Sequence, residues 1–345
     1  MKAARLHGAR DLRVDRVAPP GPPGPGEAIV AVRAVGLCGS DLHYWLDGRI
    51  GDTTLDRPLI MGHEPAGEVV AVGDNVTHVQ PGQRVAIDPA VPCGYCEWCA
   101  AGHPNLCPHV RFFGSPPTDG ALRELVCHPA ECLFPLPDNL TFVDGALCET
   151  LGVALHAVDL SHLQPGQSAA ILGCGPVGLM TLQVARCAGA GPIYVADPIS
   201  ERLAVATALG ADKVIDAGRV EPERAILELT DGLGVDAVFD CATSTGTPAQ
   251  CCAAAKIGAR VVLVGIPPED DFTLHHSPAR RKGLTLLFAR RMPAVYPRAL
   301  HLASRGAVQL DLLATHSFSL DRAPEAFALA AERLDGVIKA VVEIQ

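Results

Sequence analysis

The chain has 345 residues, of which 48% are hydrophobic and 19% charged, and its formal net charge is −10. At about 150 residues per domain this is the length of two or three domains, and so apolar a composition excludes a disordered chain. The acidic balance argues against partners such as nucleic acids or anionic membrane surfaces. Because the first ten residues lack the apolar core of a signal peptide, we expect a soluble, cytoplasmic protein.

The N-terminal part of the chain, up to about residue 150, predicts a compact domain made largely of β-strands. Short apolar runs are separated there by turn dipeptides such as Pro81-Gly82 and Asp119-Gly120. The predicted strands are Ala28–Val35, Gly67–Val72, Arg84–Ile87 and Glu124–His128.

After Leu163 apolar strands alternate with helical segments, which predicts an α/β fold with a doubly wound parallel sheet. The predicted strands are Ser168–Leu172, Ile193–Ala196, Lys213–Ile215, Asp236–Asp240, Arg260–Val264 and Leu284–Phe288. The predicted helices lie near residues 176–188, 199–209, 221–230 and 246–257. Residues 290–345 return to a mixed α/β pattern, with a helix near 294–305 and a final strand near 338–344.

A glycine motif joins the first of these strands to the first helix. Its residues Gly173, Cys174, Gly175, Pro176, Val177 and Gly178 fit the pattern G-x-G-x-x-G of a dinucleotide-binding turn. Asp197 ends the next strand, where a carboxylate binds ribose hydroxyls and repels a 2′-phosphate, so NAD is favoured over NADP. Arg202 lies nearby and weakens that preference. Val264 and Phe288 are further candidate cofactor contacts.

Four of the thirteen cysteines, Cys93, Cys96, Cys99 and Cys107, lie within fifteen residues. Four thiolates in tetrahedral arrangement form a closed site with no position for a substrate, so this segment predicts a structural zinc site. Free buried thiols and an iron–sulfur cluster are the alternatives.

A second candidate metal site combines Cys38 with the adjacent His63 and Glu64. Cysteine, histidine and carboxylate ligands are typical of a catalytic zinc site with one open position. Glu149 is a candidate further ligand, preferred to its neighbour Cys148. We expect Asp41 to fix the tautomer of the histidine ligand. We expect Ser40 and His43 to carry the proton of an alcohol from the metal to solvent.

These motifs resemble the zinc-containing medium-chain alcohol dehydrogenases, and within them the polyol branch of sorbitol, xylitol and L-idonate dehydrogenases. The resemblance spans nearly the whole chain and rests on CGSDLHYWLDGRIGD, GHEPAGEVVAVGDNV, the four cysteines, RFFGSPPTDGAL, LPDNLTFVDGALCETLGVALHA and GCGPVG. It implies a GroES-like catalytic domain from residues 1–151 and 290–345 and an NAD-binding Rossmann domain from residues 152–289.

The resemblance also implies residue roles. It places a catalytic zinc on Cys38, His63 and Glu64, with Glu149 near the metal; in some relatives Glu149 or a water replaces Glu64. It assigns Tyr44, Phe112, Glu149 and an arginine of the segment FARR to the substrate pocket. Arg291 aligns best and Arg290 is the alternative, because this segment departs from the family pattern.

The resulting hypothesis is an NAD-dependent oxidation of a secondary hydroxyl of a polyol to the ketose. The alternatives are a 2,3-butanediol, threonine or simple secondary-alcohol dehydrogenase, a non-catalytic zinc- and nucleotide-binding protein, and a zinc-free quinone reductase. The family also implies a homotetramer or homodimer, for which the apolar edge strand near residues 284–288 is the candidate contact.

Overall fold

The computed structural model describes every residue from Met1 to Gln345, and these residues form two compact units. The first unit comprises Met1–Glu149, Tyr296–Gly306 and Leu313–Gln345, and the second comprises Thr150–Val295 and Ala307–Leu312.

The sequence-based boundaries, residues 1–151 with 290–345 and residues 152–289, differ from these units at residues 150–151, 290–295 and 307–312. Two contacts explain the difference. A Cβ atom at Gly152 would lie 2.2 Å from Met292 Sδ, so the segment 290–295 packs closely on the second unit. Gln183 exchanges two hydrogen bonds with the backbone of Gln309, its Oε1 accepting at 2.7 Å and its Nε2 donating at 3.1 Å.

The regular elements are numbered in chain order. The strands are β1 (Lys2–Gly8), β2 (Asp11–Arg16), β3 (Glu27–Gly36), β4 (Arg49–Ile50), β5 (Thr53–Thr54), β6 (Leu59–Ile60), β7 (Glu64–Val72), β8 (Arg84–Ile87), β9 (Ala90–Val91), β10 (Arg111–Phe112), β11 (Leu125–Pro129), β12 (Leu133–Pro135), β13 (Ala169–Leu172), β14 (Ile193–Asp197), β15 (Lys213–Asp216), β16 (Val235–Asp240), β17 (Ala255–Leu263), β18 (Thr285–Phe288), β19 (Ala314–Ser319) and β20 (Lys339–Glu343). The α-helices are α1 (Gly39–Asp47), α2 (Glu97–Ala100), α3 (Phe142–Ser161), α4 (Pro176–Cys187), α5 (Ser200–Ala208), α6 (Pro222–Leu229), α7 (Thr247–Ala254), α8 (His276–Lys282), α9 (Tyr296–Ser304) and α10 (Ala323–Glu332).

The main sheet of the first unit is organised around β3. Alternate residues of β3 are buried, as expected for a strand with one face on a core. Along one edge β3 pairs with β7, and along the other it pairs with β11 near its start and with β20 near its end. Because β20 is the last strand of the chain, this sheet joins the C-terminal segment to strands from the first 135 residues.

The second unit contains a six-stranded parallel sheet in the order β15-β14-β13-β16-β17-β18. This order confirms the predicted doubly wound fold, in which strands next to the first strand on opposite sides leave a crevice at their carboxyl ends. The helix predicted over residues 246–257 ends earlier, at Ala254, because Ala255 already pairs with Val235 of β16.

Several helices were not predicted from the sequence, including α1, α8 and α10. The longest of them, α3, has buried residues on all sides, among them Ala146, Leu147, Leu151 and Leu155. A helix that is apolar all round shows no amphipathic stripe, so its period is hidden in the sequence. None of the helices combines the length and the apolar character needed to cross a lipid bilayer.

Candidate zinc and cofactor sites

Cys38, His63 and Glu64 come together in the first unit, although 25 positions separate the first of them from the second. Their ligand atoms all lie within 4.8 Å of one another. Tetrahedral zinc, with bonds of about 2.0–2.3 Å, separates its ligand atoms by about 3.3–3.8 Å, so these three side chains fit a zinc ion. Cys38 precedes α1, and Glu64 is the first residue of β7.

Asp41 fixes both segments that carry these ligands. Its side chain is 1% exposed, and one carboxylate oxygen accepts a hydrogen bond from the backbone N–H of Cys38 at 3.0 Å. The other oxygen accepts one from Gly62 at 3.2 Å and lies 3.3 Å from His63 Nδ1. With Nδ1 facing a carboxylate, Nε2 is the nitrogen that faces the candidate metal position.

The electrostatic surroundings of His63 favour a cation. Burial opposes protonation of the ring, but the Asp41 carboxylate and the Cys38 thiol raise the pKa of His63 well above its ordinary value. The hydroxyl oxygen of Ser40 lies 3.5 Å from His63 Nε2, and the ring of Phe112 lies 5.2 Å from the histidine ring. Ser40 and Phe112 therefore both lie beside His63.

Glu64 forms an ion pair with Lys339, the first residue of β20, at 2.5 Å between Oε1 and Nζ. Both side chains are buried, with exposed fractions of 0% and 2%. Burial disfavours the charged lysine, but Glu64 and then Cys38 raise the pKa of Lys339 above its ordinary value, so the ammonium group stays charged. The sequence analysis missed Lys339.

Glu149 lies on α3 and is buried. Burial, and then the negative charge of Glu64, raise the pKa of Glu149 to about 8, so this carboxyl group can hold a proton near neutral pH. Neither Glu149 nor Cys148 belongs to the compact set of ligand atoms around His63. Burial raises the pKa of the Cys148 thiol to about 12, which disfavours the thiolate that zinc requires.

The residues expected in the substrate pocket lie in different environments. Tyr44 is buried on α1, and its hydroxyl group lies 3.3 Å from that of Ser115, a residue that the sequence analysis did not select. Arg291 is half-buried and has a left-handed backbone, with φ of 50°, whereas Arg290 is exposed.

The cysteines of the lobe, Cys93, Cys96, Cys99 and Cys107, form the second compact set of ligand atoms within 4.8 Å of one another. The sulfur atoms of Cys96 and Cys99 are 3.5 Å apart, which suits two thiolates on one zinc ion. Burial acts against ionisation of Cys93, but the backbone N–H groups of Tyr95 and Cys96 lower its pKa to about 6. All thirteen cysteines are free thiols.

The glycine motif lies at the carboxyl end of β13, as predicted. Gly173 has φ of 99°, and a Cβ atom at Gly178 would lie 1.8 Å from the carbonyl oxygen of Gly173, so only glycine fits at both positions. Pro176 begins α4, whose unpaired N–H groups are suited to a pyrophosphate. Val264 and Phe288 lie at the carboxyl ends of β17 and β18 on the same edge of the sheet.

Asp197 is buried at the end of β14 and connects the glycine motif to the next loop. Its carboxylate oxygens accept hydrogen bonds from the backbone N–H groups of Cys174 at 2.7 Å and Ile199 at 2.9 Å. Each oxygen has a second lone pair, which can accept a ribose hydroxyl. Arg202 lies near the same loop, with Nη1 3.9 Å from the Cβ position of Gly175.

The chain is similar to known proteins along most of its length. The profile of the alcohol dehydrogenase GroES-like domain matches residues 24–138, and that of the zinc-binding dehydrogenases matches residues 176–305. Sorbitol dehydrogenase of Bacillus subtilis (strain 168) is 35% identical over 342 residues, which are 99% of this chain and 97% of that protein.

Two solved structures illustrate the range of similar proteins. A zinc-binding dehydrogenase from Sinorhizobium meliloti 1021, bound to NADP, has a TM-score of 0.90 and 34% identity, covering 99% of this chain and 98% of that one. The 2R,3R-butanediol dehydrogenase of Bacillus subtilis has a TM-score of 0.88 and 32% identity, covering 99% of each chain.

Proposed function

Because the chain belongs to the zinc-containing medium-chain alcohol dehydrogenases, in their polyol branch, we propose that it oxidises a secondary hydroxyl of a sorbitol- or xylitol-like polyol to the ketose. The enzyme is an oxidoreductase that uses NAD and zinc and acts on small alcohols. The observation that carries the proposal is the convergence of Cys38, His63 and Glu64 at one place, with the Ser40 hydroxyl beside them.

In this proposal Cys38, His63 and Glu64 hold a zinc ion, and the cysteine lobe holds a second one. When bound at the first site, zinc supplies a Lewis acid that lowers the pKa of an alcohol. Asp41 keeps the ligands in place because its carboxylate accepts hydrogen bonds from the backbone N–H groups of Cys38 and of Gly62, the residue before His63. This preorganisation reduces the rearrangement that metal binding requires.

The proton of the substrate hydroxyl passes to protein groups. Ser40 lies beside the metal position, and His43 lies three residues later on the same face of α1. His43 is partly exposed, so it can deliver the proton to solvent. Glu149 is the second candidate, because its pKa of about 8 suits exchange of a proton near neutral pH.

The cofactor is held by the glycine motif, and Asp197 selects NAD over NADP. A carboxylate at this position accepts ribose hydroxyls and repels a 2′-phosphate. We expect the wild type to prefer NAD, measured as the ratio of kcat/KM for the two cofactors. Asp197→Asn should reduce that ratio by about tenfold or more, whereas the matched variant Asp216→Asn, at the end of the neighbouring strand β15, should not. A wild-type preference for NADP would contradict the assignment and point to Arg202.

The substrate is tested by NADH formation with xylitol, sorbitol, 2,3-butanediol and threonine, each with and without a zinc chelator. The proposal expects the highest kcat/KM with a polyol and loss of turnover with chelator. Preference for butanediol, threonine or a simple secondary alcohol would replace the polyol by one of those substrates. The similarity to the butanediol dehydrogenase makes this comparison necessary.

The pocket assignment distinguishes two neighbouring arginines. Because Arg291 is half-buried and Arg290 is exposed, the substrate contact is assigned to Arg291. Tyr44, Phe112 and Glu149, which belong to the first unit, are the other proposed substrate contacts. Arg291→Ala should raise KM for the polyol by about tenfold, as loss of a charged hydrogen bond does, and Arg290→Ala should leave it unchanged. The opposite result would assign the role to Arg290.

We also propose a homodimer or homotetramer that uses the sheet edge at β18. This strand is at the edge of the six-stranded sheet, and Phe288 at its end is 68% exposed. An apolar sheet edge favours pairing with a second strand. Light scattering should give a dimer or tetramer for the wild type and for Thr285→Ala, and a smaller particle for Thr285→Pro. An unchanged mass for Thr285→Pro would place the contact elsewhere.

A further inference from the structure

The Glu64–Lys339 ion pair joins residues 275 positions apart, and both side chains are almost completely buried. Burying two charges is costly, and such a pair is weak support for stability compared with apolar packing. A residue type as seldom buried as lysine therefore requires an explanation at this position. The explanation lies in the second role of Glu64, which is also a candidate zinc ligand.

The backbone is built to let these two side chains meet. Gly36 on β3 pairs with Glu64 of β7 on one side and with Val341 of β20 on the other. A Cβ atom at Gly36 would lie 2.1 Å from Glu64 Oε2 and 3.1 Å from Lys339 Cε. The glycine thus leaves the space through which the lysine of one strand reaches the carboxylate of another.

The ammonium group of Lys339 lies in an acidic surrounding. Its positive charge is favoured by Glu64, Cys38 and Glu149. A further carboxylate, Asp41, lies on the far side of His63. A zinc ion held by Cys38, His63 and Glu64 would share the Glu64 carboxylate with Lys339. The ammonium group repels a second cation and draws negative charge away from the oxygen atoms that would bind it.

We propose that Lys339 competes with zinc for the Glu64 carboxylate and so limits how tightly this site holds its metal. The inference rests on the proposed metal-binding role of Glu64. Lys339 is a positioning residue in this account, because it acts through Glu64 and touches neither substrate nor cofactor. Its charge also keeps the buried carboxylate compensated whenever the metal leaves.

The test measures zinc affinity rather than turnover. Lys339→Gln keeps a hydrogen-bond donor for Glu64 but removes the charge, and it should tighten zinc binding at this site by about tenfold or more in competition with a chelator. Lys339→Arg keeps the charge and should bind zinc as the wild type does. The zinc of the cysteine lobe is an internal control, whose affinity should not change. Unchanged or weaker binding in Lys339→Gln would overturn the proposal.

A second background tests whether the effect passes through Glu64. In Glu64→Gln the carboxylate is absent, so adding Lys339→Gln should produce much less tightening than it does in the wild type. Equal tightening in both backgrounds would mean that the ammonium group repels zinc without Glu64, which would contradict competition for the carboxylate. In this background no Glu64 carboxylate is left without a counter-charge. If Lys339→Gln alone unfolds, tightening by tenfold or more within the Glu64→Gln background would therefore still overturn competition for the carboxylate.

Thermal stability separates this role from a merely structural one. If Lys339 compensates Glu64 only while the metal is absent, Lys339→Gln should lower the Tm of the zinc-depleted protein more than that of the zinc-loaded protein. Equal losses in both forms would indicate a structural role alone. A Cys38→Ser variant that keeps both zinc ions would instead refute the proposed metal site itself, so the two failures are distinguishable.

Discussion

The two sets of candidate metal ligands are built in opposite ways. The cysteine lobe takes all its ligands from Cys93–Cys107, in a segment whose only regular elements are a four-residue helix and a turn of 3₁₀ helix. Its surroundings are open: the side chain of Tyr95 is 80% exposed. The other site, the dispersed site, takes its ligands Cys38, His63 and Glu64 from the starts of α1 and β7. It is surrounded by buried groups that reach it from β20 and α3.

This difference determines what each site contributes. A segment with so little buried surface cannot hold four thiols together by packing, so the metal itself must supply much of the folding free energy of the lobe. The dispersed site is instead flanked by residues of the buried core of the first unit, and Asp41 orients two of its ligand segments. Loss of metal should therefore unfold the lobe but leave the dispersed site formed and inactive.

The largest expected effect is on activity, from Cys38→Ser at the dispersed site. Loss of a thiolate ligand should lower kcat/KM by about 10³-fold or more, because Lewis-acid stabilisation contributes several kcal/mol. The zinc content should fall by one ion per chain while the Tm changes little. Cys127→Ser, outside both ligand sets, is the matched control. Full activity in Cys38→Ser would refute the assignment of the site.

At the lobe, Cys107→Ser should have the reverse effect. We expect a loss of one zinc ion per chain and of about 3–5 kcal/mol in unfolding free energy, with kcat at low temperature within a few-fold of the wild type. Zinc analysis and thermal unfolding measure the two quantities. A variant with normal stability and no activity would reverse the roles of the two sites.

Burial near the main sheet also predicts a pH dependence of stability, through a histidine that is held neutral. Burial lowers the pKa of His128 to about 4, and its Nε2 lies 2.8 Å from the carbonyl oxygen of Asp88. As the pH falls, His128 therefore becomes protonated near pH 6.5 in the unfolded chain but only near pH 4 in the folded protein. The stability contributed by neutral His128 is present above that pH and is lost between pH 6.5 and 4, amounting to about 3 kcal/mol.

His128→Gln tests this dependence, because glutamine can donate a similar hydrogen bond but does not titrate. Its unfolding free energy should fall less steeply with decreasing pH than that of the wild type between pH 6.5 and 4. The difference in slope should correspond to at most one proton fewer taken up per chain on unfolding. Exposed His301, replaced by Gln, is the control and should leave the slope unchanged. Parallel pH curves for His128→Gln and the wild type would show that this group is not held neutral.

The same contrast explains what the sequence alone can predict. The spacing of the four cysteines and of the glycine motif is local, so both motifs and the strands around them can be recognised from neighbouring residues. Lys339 cannot, because its pairing with Glu64 depends on β20 lying beside β3, and nothing near Lys339 in the sequence indicates a partner 275 positions away. Ser115 is hidden for the same reason, since only the fold brings it to Tyr44.

The smallest expected effect concerns the orientation of a ligand rather than a ligand itself. Asp41→Asn preserves the size of the side chain but weakens its hold on His63 and on the backbone of Cys38 and Gly62. Loss of such a supporting carboxylate typically costs 10–100-fold, so we expect zinc affinity or kcat/KM to fall by about that factor. The control is Asp47→Asn, at the exposed end of the same helix. If Asp41→Asn were as inactive as Cys38→Ser, Asp41 would have to contact the reacting groups directly, and the site would be less preorganised than its hydrogen bonds indicate.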